Sequence, residues 1–281
     1  MTAIPRTLLT ITIMAAGCAS TSHSPGSWAE FRGTNVQAPG DDGQPASDQE
    51  RLRSAWVRPK FETESFRSIT AGTAFAVIFH ETPLLLTAHH LLGTAGGLPR
   101  DLRWDEVVSE VTRVTGHSTL ERGVAVAATK VLPIPGAVAM SDTQLNRDLA
   151  AFFLDARSKI TTLVLARETP APGDPVQLVG KVIGRKGFLH DALVVEASRE
   201  GLFYQFEENL ELRATSGAPV INAAGEVVAV NLGGGEYMGA TIGVGAPSVA
   251  LSEALENALR ASDVAASSSA SPDGTRGVEA R

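Results

Sequence analysis

A single cysteine, Cys18, stands in 281 residues. One thiol excludes an intrachain disulfide and a thiolate metal cluster. Runs of Lys or Arg are missing and the formal net charge is -7, which argues against nucleic acid as a partner. No His-Glu-x-x-His segment occurs, and the adjacent His89 and His90 lack the i, i+4 spacing of a helical zinc site. Gly93-Thr94-Ala95-Gly96-Gly97 and Gly233-Gly234-Gly235 are glycine-rich, but neither runs into Gly-Lys-Ser/Thr, so both read as turns rather than phosphate loops. Helix-period patterns are scarce too, and the one that stands out lies near the C-terminal end.

What is present is short apolar runs divided by turn residues. Hydrophobic residues make up 43% of the chain, with 27 Gly and 15 Pro, enough apolar material for a large core and enough punctuation to favour an all-β domain. Strands are predicted at 74–79, 84–88, 107–114, 124–132, 149–154, 176–179, 189–197, 202–206, 219–222, 227–232 and 240–244. Asn222-Ala223-Ala224-Gly225-Glu226 is a hairpin signal between two of them. Val249, Leu251, Ala254, Leu255, Ala258 and Leu259 approximate helical spacing and predict a helix over 248–260.

The flanks differ in kind. Arg6, the apolar residues 8–14 and Ala15-Ala16-Gly17-Cys18 have the order of an export signal, too short to span a membrane as a stable helix. The Ala-Gly-Cys ending resembles the lipobox of bacterial lipoproteins, in which the cysteine is lipidated and becomes the new N-terminus; Ala15 stands where that motif more often has Leu. The expected organisation is a signal peptide over 1–17, a lipid-anchored tether over 18–60, a folded domain over 61–261 and a disordered tail over 262–281. The tether is polar and breaker-rich, with Trp28, Phe31 and Trp56 as lone aromatics able to dock on the domain. Ala19 after the cysteine resembles lipoproteins sent to the outer membrane, which places the domain in the bacterial cell envelope facing the periplasm.

Three segments carry chemistry. Leu86-Thr87-Ala88-His89-His90, Asp148-Leu149-Ala150 and Ala214-Thr215-Ser216-Gly217-Ala218-Pro219 each adjoin an apolar run that reads as a buried strand. Together they outline a Ser-His-Asp arrangement, in which imidazole takes a hydroxyl proton and a carboxylate fixes the imidazole tautomer. With Gly72-Thr73-Ala74-Phe75 upstream and Gly225-Glu226-Val227-Val228-Ala229-Val230 downstream, residues 66–260 resemble the trypsin-type serine peptidases, bacterial exported members in particular. That resemblance implies a chymotrypsin-like fold: two packed six-stranded β-barrels with the site in the cleft between them, here followed by the C-terminal helix. The second barrel is expected to start near Gly173-Asp174-Pro175-Val176.

The resemblance also assigns roles. His90 aligns with the general base and His89 with the filler before it; Asp148, favoured over Asp142 and Asp155 because it directly precedes an apolar strand, aligns with the orienting carboxylate; Ser216 aligns with the nucleophile. The backbone N–H groups of Ala214 and Ser216 align with the oxyanion hole. Ala214 replaces a glycine, and a Cβ resists the strained backbone wanted there. Leu210 falls at the base of the primary pocket, with no aspartate to favour cleavage after Lys or Arg, although Glu207, Glu208 and Glu211 lie close in sequence. Asn231, Leu232 and Gly233 fall on the strand that lines substrate. The implied activity is peptide hydrolysis without a cofactor, on protein or peptide substrates, with membrane contact through Cys18. The rival readings are a trypsin-fold domain that binds a peptide or envelope partner without cleaving it, and a structural lipoprotein with an accidental triad pattern.

Overall fold

The computed structural model describes residues 46–140 and 144–269. A first helix α1 (Ala46–Arg53) leads into β1 (Trp56–Thr63), then β2 (Ile69–Thr70), β3 (Ala74–Phe79), β4 (Thr82–Thr87), the short helix α2 (Val107–Glu110), β5 (Val111–His117), β6 (Ala125–Ala128), β7 (Lys130–Leu132), β8 (Ala150–Phe153) and β9 (Thr162–Leu163). The second half holds β10 (Pro175–Val179), β11 (Leu189–Ala197), β12 (Leu202–Phe206), β13 (Pro219–Ile221), β14 (Val227–Tyr237), β15 (Ala240–Pro247) and the last helix α3 (Ser248–Ser269).

The second half is a closed barrel in the order β10-β11-β12-β15-β14-β13. The first half is one sheet whose path runs β6-β5-β1-β3-β4-β8-β7, with β2 on β1 and β9 on β3. Its two ends, β6 and β7, are separated only by Thr129. They act as one strand, pairing with β5 before Thr129 and with β8 after it. The sheet thus returns on itself as a barrel of six working strands wound in the same order as the second. This is the chymotrypsin-like architecture, all-β with a C-terminal helix.

Local chemistry accounts for the elements. β3 and β4 are apolar on both faces, as suits strands covered by barrel core and by neighbouring chain: Phe75, Val77, Leu84, Leu85 and Leu86 are all fully buried. β11 and β12 alternate buried and half-buried residues, the pattern of barrel walls with one face outward. The linker binds both barrels: β9 pairs in parallel with β3, and Leu165 then bridges Val227 of β14. Leu251, Leu255 and Ala258 of α3 join the apolar cluster that fills the first barrel and extends to β13, β14 and β15.

Three boundaries depart from the sequence expectation. The folded domain takes in residues assigned to the tether: Trp56 and Val57 of β1 are buried in the first core beside Phe61, and Leu52 of α1 packs with them. The segment 107–114 begins as a helical turn before becoming β5, because only Val107 and Val111 of its first five residues face the core, an i, i+4 spacing. The last helix continues past residue 261 to Ser269. Cys18, Trp28, Phe31 and Asp142 lie outside the described residues.

Candidate active site

After β4 the chain passes Ala88 in extended backbone and tightens into a 3₁₀ turn over His89–Leu92. Successive side chains on such a turn diverge by about 120°. The two histidines therefore go to different partners by helical rotation. His89 turns away and its Nε2 lies 2.8 Å from the Leu102 carbonyl oxygen, to which it donates as the neutral tautomer. Burial lowers its pKa, partly offset by that carbonyl. His90 turns toward Asp148, with Nδ1 2.6 Å from Oδ2.

Asp148 sits just before β8, where the Leu149 N–H donates back to the Arg147 carbonyl at 3.0 Å. With φ -86° and ψ 72°, it is the centre of an inverse γ-turn. That turn throws its carboxylate out of the strand line and into the protein, where it is wholly buried. Burying a carboxylate without partners is costly. Here Oδ1 accepts the His90 backbone N–H at 2.8 Å, and Oδ2 accepts His90 Nδ1–H and the Met140 N–H at 3.0 Å. An ionised carboxylate accepts only, so Nδ1 carries the imidazole proton and Nε2 presents its lone pair. His90 Nε2 has no hydrogen-bond partner among the described residues. Asp155, the competing carboxylate, is exposed and caps its own turn by accepting the Arg157 N–H.

Ser216 comes from the second barrel, on the turn leading into β13. Two glycines let that turn close on the first barrel. A Cβ on Gly217, whose φ is +83°, would lie 2.1 Å from the Thr73 carbonyl oxygen and 2.2 Å from Thr87 Oγ1. A Cβ on Gly72 would lie 2.6 Å from the Ser216 carbonyl oxygen. Gly217 also packs near the Ala88 backbone nitrogen, two residues before His90, so the serine turn and the histidine turn adjoin. The Ser216 hydroxyl donates to the Leu232 carbonyl at 3.1 Å. Ala214 has φ +68°, the left-handed region that its Cβ disfavours. Among the described residues, no acceptor takes the N–H of Ala214 or of Ser216.

The remaining sequence candidates divide. The Leu232 carbonyl and Gly233 flank the Ser216 hydroxyl. Asn231 lies on the same strand, but its side chain is wholly buried and serves the turn from beneath. Its Nδ2 donates to the Thr215 carbonyl at 2.8 Å, and its Oδ1 accepts the buried Tyr204 hydroxyl. Leu210 is half-buried and its N–H donates to Thr241 Oγ1 at 2.9 Å, while Glu207, Glu208 and Glu211 are exposed. Thr73, Thr215, Tyr204 and Met140 were not singled out from sequence. No group of His, Cys, Asp and Glu able to hold a metal occurs among the described residues.

The profile of the trypsin-like peptidase domain matches residues 72–230, more than half of the chain and the whole stretch from Gly72 through Ser216. The chain belongs to the trypsin-like peptidase family. The family is one of serine proteases, and this trypsin-like domain shares its fold with a serine endoprotease from Yersinia pestis, at TM-score 0.51 and 17% identity over 77% of this chain and 68% of that one. The active form of the Rv3671c protease from M. tuberculosis aligns at TM-score 0.48 and 15% identity, over 86% of this chain and 93% of that one. Comparison with curated protein sequences gave no match.

Proposed function

We propose that this trypsin-like domain is an active serine endopeptidase in which Ser216, His90 and Asp148 work as a unit. The observation that carries the reading is the buried His90–Asp148 pair, which leaves Nε2 as a free base beside the serine turn. In the proposed reaction the Ser216 hydroxyl turns from the Leu232 carbonyl toward Nε2. Its oxygen attacks the scissile carbonyl carbon while Nε2 takes the proton, and Asp148 stabilises the resulting imidazolium. The tetrahedral oxyanion is received by the Ala214 and Ser216 N–H groups, both without other acceptors. His90 then protonates the leaving amine, and water repeats the sequence on the acyl-enzyme.

A second reading, peptide binding without cleavage, is favoured by one observation: the resting hydroxyl is held by Leu232 rather than by His90. A fluorophosphonate probe separates the two. Wild type is expected to be labelled and to cleave casein; Ser216→Ala is expected to lose both, with a fall of roughly 10⁶-fold in turnover, and Asp148→Asn to lose about 10⁴-fold. An unlabelled wild type with intact melting would leave the binding reading.

The same proposal places the domain at the bacterial envelope, tethered through lipidated Cys18 and acting on protein or peptide substrates on the periplasmic side. The supporting observation is the lone cysteine after an export-type signal. Radiolabelled palmitate should mark wild type and not Cys18→Ser; label retained on Cys18→Ser would refute the anchor.

A further inference from the structure

Three successive carbonyls of the serine turn are held by the two barrels in alternation. The Ala214 oxygen accepts Thr73 Oγ1–H from the first barrel at 3.1 Å. The Thr215 oxygen accepts Asn231 Nδ2–H from the second at 2.8 Å. The Ser216 oxygen accepts the Thr73 backbone N–H at 2.8 Å. Two of the turn's N–H donors are tied as well: Thr215 N–H goes to the Leu212 carbonyl at 3.2 Å and Gly217 N–H to the Asn231 carbonyl at 2.7 Å.

A trans peptide points its C=O and N–H in opposite directions, and no described peptide is cis. Holding the Thr215 carbonyl inward on Asn231 therefore turns the Ser216 N–H away from the barrel. The 214–215 peptide is gripped at both ends, by Thr73 Oγ1 and by Leu212. With that plane fixed, the φ and ψ of Ala214 together set where its own N–H points. A glycine occupies a positive φ as readily as a negative one, but alanine does not. If Ala214 relaxed to negative φ, the peptides on either side would rotate and the Thr73 bond would be given up.

We infer that Thr73 is a positioning residue whose hydroxyl holds Ala214 in the left-handed conformation, so that an alanine presents the N–H that the position otherwise obtains from glycine's freedom. Thr73 is buried, 4% exposed, and its own carbonyl is fixed by Thr87 Oγ1 at 2.6 Å. The Thr73 backbone is thus anchored to β4, the strand that precedes the His90 turn. The inference rests on the oxyanion role given to Ala214 above, and its consequence is a coupling between residues 73 and 214.

Thr73→Val keeps the shape and removes the hydroxyl; Thr73→Ser keeps the hydroxyl. Thr73→Val should lower the turnover number by about 10²-fold with KM retained, the scale of one oxyanion donor. Thr73→Ser should restore the rate to within a few-fold. In an Ala214→Gly background the loss caused by Thr73→Val should shrink to a few-fold, because glycine needs no clamp. Wild-type turnover in Thr73→Val, no rescue by serine, or an equal loss in both backgrounds would each overturn the inference. Crystal structures of wild type and Thr73→Val decide it independently of activity, including the case where wild type takes no fluorophosphonate. A negative φ at Ala214 in Thr73→Val supports the clamp, and an unchanged positive φ overturns it.

Discussion

The two barrels share one winding order but contribute to the proposed site in different ways. The first gives side chains, His90 from the turn after β4 and Asp148 from the turn before β8, each held by charge-assisted hydrogen bonds at the barrel rim. The second gives backbone, the N–H groups of the 214–216 turn, and buries its polar side chains beneath it as a Tyr204–Asn231–Thr215 network. The cores differ to match. Phe61, Phe75, Phe152 and fully buried leucines such as Leu84, Leu85, Leu86 and Leu163 dominate the first, whereas the second mixes Ala192, Ala218 and Ala229 with Tyr204 and Phe206. Side-chain chemistry tolerates a rim of irregular turns. Backbone chemistry requires that every peptide of the turn be tied, and the second barrel supplies most of those ties.

The sharpest way to break this contrast is Gly217→Ala. The added Cβ would meet backbone and a buried hydroxyl of the first barrel at 2.1 and 2.2 Å, in a backbone of φ +83°. Cleft and fold should both suffer, with a loss of about 3 kcal/mol or more from overpacking and strain together. Gly225→Ala is the matched control in the same barrel. Its φ is +75°, but nothing lies within 4 Å of the added Cβ, so it should lose only about 1 kcal/mol. Denaturant melts of both variants test the pair; equal losses would mean that the close approach of the barrels at Gly217 is not what the glycine is for.

The smallest expected effect belongs to the first barrel. His89 is buried with a lowered pKa, so the unfolded chain takes up a proton near pH ~6.5 that the folded chain refuses. Stability from this residue is complete above that pH and is lost as pH falls below it. His190 in the second barrel is also lowered by burial and adds to the same trend. His89→Gln should flatten the fall in melting temperature between pH 7.5 and 5.5 without removing it. A slope unchanged from wild type would assign the acid sensitivity to other groups.

The strands most easily read from sequence were those with unbroken apolar runs, such as β3 and β8. β1 was missed because Arg58, Pro59 and Lys60 resemble a polar linker, yet Arg58 and Lys60 occupy its outward positions while Trp56, Val57, Pro59 and Phe61 are buried. Motif order brought forward His90, Asp148 and Ser216, and the departure at Ala214 was visible as a missing glycine. The direction of Asn231 was not visible. A register shift between Asn231 and Gly233 breaks the alternation that would have assigned its face. Thr73 carried no signal at all, since its value lies in a hydroxyl meeting a carbonyl 141 residues away.

The last helix adds a consequence in time. Leu251, Leu255 and Ala258 of α3 belong to the apolar cluster that joins the first barrel to β13, β14 and β15. A ribosome or export channel delivers the front first. That shared cluster therefore stays incomplete until residues 248–258 emerge. The packing of one barrel against the other, on which the proposed triad depends, is complete only then.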